Sequence, residues 1–407
     1  MVRRPRVILF LTLFVATLGL SVLFPILAPL ARRLGLSETE VGLLGTAYSL
    51  MQFLTAPLWQ ARSERVGRKP ILTLGLVGFS GSFALFGLVA TLGLHGTLSG
   101  WPLFLGLLVA RTIGGALSSA TLPTAQAYLA DLGDANNRGP AMGLVGAALG
   151  LGMVFGPSIS AALSSFGLLA PVYFSVGLGL LTALFARTAL QEGRRPNEVV
   201  ERLTPRFSLD LLARPGVALL LVVSMLYTLA SVGMEQTIGF FVQDRLAVSG
   251  RDATRTIGFM LTVFGLLAAL VQGGALRSLS TKFAPRALIY AGLVVMGGGM
   301  LLIALGQDFW SITFALGVVG VGSALLAPSL SAALSLGASE REQGRIAGLN
   351  ASALALGRMF GPLIGAGLYQ QVSVSGPYIF SGVLLLLLLL VSGAAFKPTV
   401  NAFGTDD

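Results

Sequence analysis

Cysteine is absent from this chain, and histidine occurs once, at His95. The absence of cysteine excludes disulfide frameworks, thiolate metal centres and cysteine nucleophiles, and a single histidine in an expected loop leaves no basis for a histidine metal site and no Ser/His cluster that would suggest an enzyme. No G-x-x-x-x-G-K-S/T loop occurs, so nucleotide-driven work is not expected. Charge is scarce as well: Asp, Glu, Lys and Arg make up 11% of 407 residues. What remains is apolar. A hydrophobic content of 54% and a mean hydropathy of +0.84 exclude a water-soluble globule.

Apolar runs recur from end to end, each able to cross a hydrocarbon core that takes about 20 helical residues. Twelve spans are expected, at 7–30, 41–61, 70–92, 102–131, 138–163, 168–189, 216–242, 255–275, 285–305, 309–337, 343–371 and 376–396. The first is long enough to span, so a removable leader is not expected. One long polar stretch, 190–215, divides the chain into 1–189 and 216–407, with six spans in each. The expected fold class is an all-α membrane protein of twelve transmembrane helices in two pseudo-symmetric six-helix bundles.

The net charge of +10 has a sidedness. Of the 27 Lys and Arg residues, Arg32, Arg33, Arg245, Arg251 and Arg255 fall on one side of these spans, and Arg111 and Arg358 fall within them. The remaining twenty lie on the side of the termini. This is the positive-inside pattern, so both termini are expected in the cytosol and the chain in the inner or plasma membrane. The basicity reports orientation, and no nucleic-acid partner is expected.

Glycine is plentiful and ordered. Gly143, Gly152, Gly156 and Pro157 stand at the spacing G-x8-G-x3-G-P, and Gly348, Gly357, Gly361 and Pro362 repeat it. The same offset of 205 carries Gly115 onto Gly320 and Pro123 onto Pro328, whereas Gly75 maps onto Gly292 at 217. A loop around His95 to Pro102 is therefore expected to hold about a dozen extra residues. Duplication at this period marks an internal repeat. Small residues let helix backbones approach, and the proline permits a kink at fixed depth. A repeat of two six-span halves puts a substrate site near the midplane between them.

The Gly-Pro element resembles the antiporter motif in the fifth helix of major facilitator exporters. It matches through Gly-Pro; Ser160 and Ala161, and Gly365 and Ala366, follow where that family usually has Gly-Gly. The stretch PLWQARSERVGRKP, from Pro57, resembles the family signature between helices 2 and 3. Arg65, Gly67, Arg68 and Lys69 match, Glu64 takes the aspartate position, and Gln60 and Arg62 depart from it. RTIGGALSSA, from Arg111, resembles the helix 4 signature with Gly115 as its glycine. AYLADLGDANNRG resembles the loop after helix 4 in drug and tetracycline exporters. These matches cover most of the first half, and the second half follows through its repeat. The resemblance implies a twelve-helix drug:proton antiporter, with a cytosolic gate formed by Glu64, Arg65, Gly67, Arg68, Asp131 and Arg138.

Ionisable groups inside spans are costly and mark function by default. Three qualify: Arg111, Glu235 and Arg358. Arg111, Gly115, Ser118 and Leu122 share a helical face, on which the small residues are expected to leave room for a cavity. Ser224, Thr228, Ser231 and Glu235 form a second polar stripe, and Asn350, Leu354 and Arg358 a third row. Glu235 is the expected proton carrier, with Arg111 orienting it; Asp131 or Asp308 at the membrane edge would carry the role otherwise. The substrate cavity is expected from Tyr48, Gln52, Gln126, Tyr227, Ser231, Asn350 and Arg358. Phe24, Phe240, Phe241, Phe259 and Phe264 could add apolar lining. The expected function is secondary transport without a cofactor, a monomer in the lipid bilayer exporting amphipathic small molecules in exchange for protons. Transport of an organic anion is the alternative, because Arg outnumbers Glu inside the spans. A sensor with a transporter fold is a third reading.

Overall fold

The computed structural model describes residues 3–131, 138–190, 209–339 and 342–395, and those residues are helical without a strand. The first bundle contains α1 (Arg3–Ser21), α2 (Phe24–Leu34), α3 (Glu38–Val66), α4 (Arg68–Leu94), α5 (Gly100–Ser118), α6 (Thr121–Asp131), α7 (Arg138–Leu163) and α8 (Ala170–Ala189). After the short α9 (Leu209–Leu212) come α10 (Pro215–Leu246), α11 (Gly250–Leu270), α12 (Leu276–Lys282) and α13 (Pro285–Leu305). The last three are α14 (Phe309–Leu336), α15 (Gln343–Gln371) and α16 (Gly376–Ala395). Eleven segments, counting α1–α2, α5–α6 and α11–α12 as one each, are long and apolar enough to cross a membrane, and a twelfth apolar stretch, Gly376–Val391, is shorter. The protein is a multi-pass membrane protein.

Sequence explains where the spans break. Pro25 has no N–H to give to the Ser21 carbonyl, and α1 hands over to α2 there. Pro123 stands in the same relation to Ser119, where α5 gives way to α6. The eighth span widens into a π turn at Val271–Ala275, which contains Gly273 and Gly274. Helix starts carry their own caps. The Ser37 hydroxyl accepts from the Glu40 N–H at 3.2 Å while the Glu40 carboxylate accepts from the Ser37 N–H at 2.8 Å.

The expected loop near His95 is short. Helix α4 ends at Leu94 and α5 begins at Gly100, so the extra residues of the first half are taken up mainly as helix. From Gly75, α4 continues nineteen residues to Leu94; from Gly292, α13 continues only thirteen to Leu305. Neutral apolar residues at a span end lengthen the helix, because a loop would leave their backbone groups unpaired. Most of the expected linker, 191–208, lies outside the described residues.

The repeat reappears as duplicated contacts. A Cβ added at Gly115 would meet the Tyr48 carbonyl, and one at Gly320 the Phe264 carbonyl. Gly152 and Gly156 bring α7 onto Thr17, Leu18 and Ser21 of α1; Gly357 and Gly361 bring α15 onto Thr228, Leu229 and Val232 of α10. Between the bundles, a Cβ at Gly258 of α11 would stand 2.8 Å from the Pro157 carbonyl and 2.7 Å from Ala161. Gly42 of α3 has the same distances to Pro362 and Ala366 of α15.

These seams lie toward one end of the molecule, called here the far end, opposite the end where α1 begins. The far end is latched. Arg32 of α2 pairs with Asp244 of α10 at 3.0 Å and with Glu38 at 2.8 Å. The Tyr369 hydroxyl donates to Asp244 at 2.6 Å, and Gln370 accepts from the Thr39 N–H at 3.0 Å. At the near end no such seam appears at the corresponding glycines: a Cβ at Gly146, Gly150, Gly344 or Gly348 would meet nothing within 4 Å among the described residues. The near end of the second bundle is strapped internally by Arg214 to Glu342 at 2.7 Å and by Arg345 to Asp210. Hydrogen bonds from Arg214 and Ser339 hold the Glu342 carboxyl at about 2, so this strap stays ionised at any physiological pH.

Candidate functional site

Between the bundles lies a chamber of about 390 Å³, bounded at the far end by the latch and the two glycine seams. That size suits a small organic molecule. Its polar wall comes from α10, where Ser224, Thr228, Ser231 and Glu235 all face it, as the i, i+4, i+7, i+11 spacing requires. The Asn350, Leu354 and Arg358 row of α15 faces it too, with Arg111 of α5 and Tyr48 and Gln52 of α3.

Of the residues expected to form the cavity, Tyr48, Gln52, Tyr227, Ser231, Asn350 and Arg358 line it, and Gln126 does not. Gln126 lies fifteen residues beyond Arg111, roughly 20 Å along the span, past the break at Ser119, and so at a different depth. The row expected to open space beside Arg111 does something else. Gly115 admits the α3 backbone, and the Ser118 hydroxyl bonds the Tyr48 hydroxyl at 2.8 Å. The small residues of α5 therefore receive Tyr48, and only Arg111 of that row reaches the chamber. Of the aromatics, Phe24 lines it; Phe240 and Phe241 are buried beneath the latch, Phe259 meets Phe309 in a tilted ring pair, and Phe264 packs against Gly320.

The three intramembrane charges meet in this one chamber without pairing. The Arg111 guanidinium lies 4.2 Å from the Tyr48 ring centroid, a cation–π contact. Gln52 donates to the same tyrosine hydroxyl at 3.2 Å. Glu235 accepts one hydrogen bond, from Ser231 at 3.3 Å. Arg358 is accessible from the chamber, and no ion pair or hydrogen bond to its guanidinium is found among the described residues. Ser224 Oγ and Asn350 Oδ1 are buried on the same wall without a partner among the described residues. Gln236, which sequence reasoning passed over, lines the chamber and donates to the Val41 carbonyl of α3 at 3.1 Å. Its place beside the stripe is the only signal it carries.

The residues expected to form a gate sit at the near end. Gly67 holds φ +108, a conformation that favours glycine, and this lets α3 turn directly into α4. Arg68 donates to Ser63 at 2.7 Å. Glu64 and Arg65 are exposed, and Glu64 forms no ion pair among the described residues. Asp131 and Arg138 end and begin helices, but their side chains, like the surroundings of Gly143, lie outside the described residues. Asp308 caps α14; N–H groups of Ser311 and Trp310 and the Ser311 hydroxyl hold its carboxyl below the usual range. A carboxylate fixed in that way does not suit proton exchange.

The sequence matches the profile of the family described as Major Facilitator Superfamily over residues 9–276 and 253–402. It is 26% identical over 391 residues to Multidrug resistance protein 1 of Bacillus subtilis (strain 168), covering 96% of each chain. It is 29% identical over 366 residues to the class C tetracycline resistance protein of Escherichia coli, covering 88% of each. Among solved structures it is similar to the human organic anion transporter MFSD10 (TETRAN), with a TM-score of 0.68 and 26% identity over 96% of this chain and 99% of that one.

Proposed function

The chain belongs to the Major Facilitator Superfamily, a transporter family, and from that premise we propose that it exports amphipathic small molecules in exchange for protons by alternating access. The observation that carries the reading is Glu235, the one carboxylate on the chamber wall among the described residues, where a single hydrogen bond holds it. Its relatives named for multidrug and tetracycline resistance support export as the direction. The near end, with twenty basic residues, faces the cytosol of a cell bounded by this membrane. Substrate enters from there. Residues 1–189 and 216–407 then rock about the chamber, the near end closing through the Glu64–Arg68 turn as the latch opens. Each chain holds a whole chamber, so a monomer suffices.

Proton coupling requires that proton and substrate differ in their affinity for the two states. Glu235→Gln mimics the protonated carboxyl permanently. In proteoliposomes the variant should lose transport driven by a pH gradient while still exchanging substrate passively across the membrane. Full coupling in Glu235→Gln would remove this residue from the mechanism.

A further inference from the structure

We propose that the chamber takes amphipathic molecules carrying an anionic group, a carboxylate or its equivalent, and that Arg358, Ser224 and Asn350 form the subsite that holds it. The proposal rests on reading the chamber as the substrate site, and it names what that site selects.

Charge is the first ground. Two guanidiniums and one carboxylate face the chamber, leaving a net charge of +1 with Glu235 ionised and +2 with it protonated. In both protonation states the wall therefore attracts an anion more than a cation.

The second ground is which cation is free. Arg111 lies against the Tyr48 ring, whereas Arg358 opens to the chamber with no ion pair or hydrogen bond to its guanidinium among the described residues, Glu235 and Tyr227 acting on it only at longer range. A guanidinium offers its donors as a planar fork that fits a carboxylate through two parallel bonds.

The third ground is what stands beside it. Gly357 meets Met225 and Thr228, Gly361 meets Leu229, and Gly365 meets Gly233, so α10 and α15 run parallel. Asn350 lies two turns before Arg358 on one face of α15, and that register puts Ser224 of α10 at a level between them. Ser224 Oγ and Asn350 Oδ1 are buried without a partner among the described residues, a costly state that a polar ligand group would relieve once a change of side-chain rotamer turns them toward it. The opposite wall, with Leu20, Leu23, Phe24 and Leu27, is apolar and suits a hydrophobic body.

The test uses the full chain purified into lipid nanodiscs, with two matched probes: 4-(1-naphthyl)butanoate and its neutral amide. The carboxylate should bind about tenfold more tightly or better, the ratio one charge-assisted hydrogen-bonded pair supplies. Arg358→Gln should erase that preference while the amide still binds, and Arg358→Lys should keep part of it. Ser224→Ala, a milder change, should narrow the preference a few-fold if Arg358→Gln fails to fold by thermal unfolding. Equal binding of the two probes, binding of neither, or an undiminished preference in Arg358→Gln and Ser224→Ala overturns the proposal. Leu354→Trp, which fills the chamber, separates the two levels of the argument. If both probes still bind to that variant, the chamber is not the substrate site and the functional reading fails with the proposal. If it blocks both while Arg358→Gln keeps the preference, only the anionic subsite is lost.

Discussion

Tyr48 does two things that a single substitution separates. Its ring carries Arg111, and its hydroxyl ties α3 to Ser118 and Gln52. Tyr48→Phe keeps the ring and should retain most transport. Tyr48→Leu removes a contact worth about 0.5–2 kcal/mol and frees Arg111 to move, so transport should fall several-fold more than in Tyr48→Phe. Equal rates in the two variants, measured at matched amounts of protein, would show that Arg111 is positioned by something else. At this scale the sequence was legible wherever position along one helix decides direction. The Ser224 to Glu235 stripe and the Asn350 to Arg358 row face the chamber because 100° per residue leaves them no alternative. It was not legible where two helices decide. Gly115 and Ser118 read equally well as room for a cavity and as a seat for Tyr48. Gln126 looked eligible by polarity alone, with depth and the Ser119 break ignored. The Arg32–Asp244 pair joins residues 212 apart, and no periodicity announces it.

Helices α7 and α15 each present two working faces, and the duplicated motif serves both. Gly156 faces inward on its own bundle, where Ser21 of α1 occupies the space a side chain would need and donates to the Gly152 carbonyl at 2.8 Å. Pro157 and Ala161 face the other bundle through Gly258. The duplication itself is plain from spacing, as is close helix approach at its small residues. The division of labour between its faces is not, because spacing does not say which neighbour each face meets. Two classes of variant should therefore differ. Gly156→Leu and Gly361→Leu insert bulk between helices of one bundle and should lower the yield and thermal stability of the folded protein, typically by about 1–3 kcal/mol or more for such overpacking. Gly258→Leu and Gly42→Leu insert bulk between bundles. They should leave each bundle folded, wedge the far end open and abolish transport. Melting temperature and transport measured on the same preparations check this. The division fails if Gly258→Leu is as unstable as Gly156→Leu while transport per folded molecule stays normal.

On the scale of the whole molecule, closure at the far end defines one state of the proposed cycle, and the latch is what biases it. Arg32 holds two acids, Glu38 on its own bundle and Asp244 on the other, so it alone joins the bundles by charge among the described ion pairs. The pairs are partly exposed, with 44% of the Arg32 side chain accessible, so each contributes about 0.2–1 kcal/mol rather than a buried-pair value. The hydrogen bonds from Thr39 to Gln370 add to this across the bundles, but the sum is still small. That is suitable for a gate, which must open in every cycle. Removing the latch should then shift the balance toward the far-end-open state by a few-fold without disabling the protein. The absence of cysteine makes the measurement direct. Ser331→Cys places the only thiol on the chamber wall, at a residue whose hydroxyl bonds only the Ala327 carbonyl of its own helix. An impermeant thiol reagent applied outside intact cells should label it slowly, and adding Arg32→Ala with Asp244→Ala should raise that rate a few-fold. Ser37→Cys, at the far-end start of α3, should be labelled from outside in both backgrounds, and Ser63→Cys, before the near-end turn, in neither. Labelling of Ser63→Cys from outside would reverse the orientation and with it the direction of transport. An unchanged rate at Ser331 in the double variant, with orientation upheld, would mean that the two glycine seams hold the far end shut without the latch.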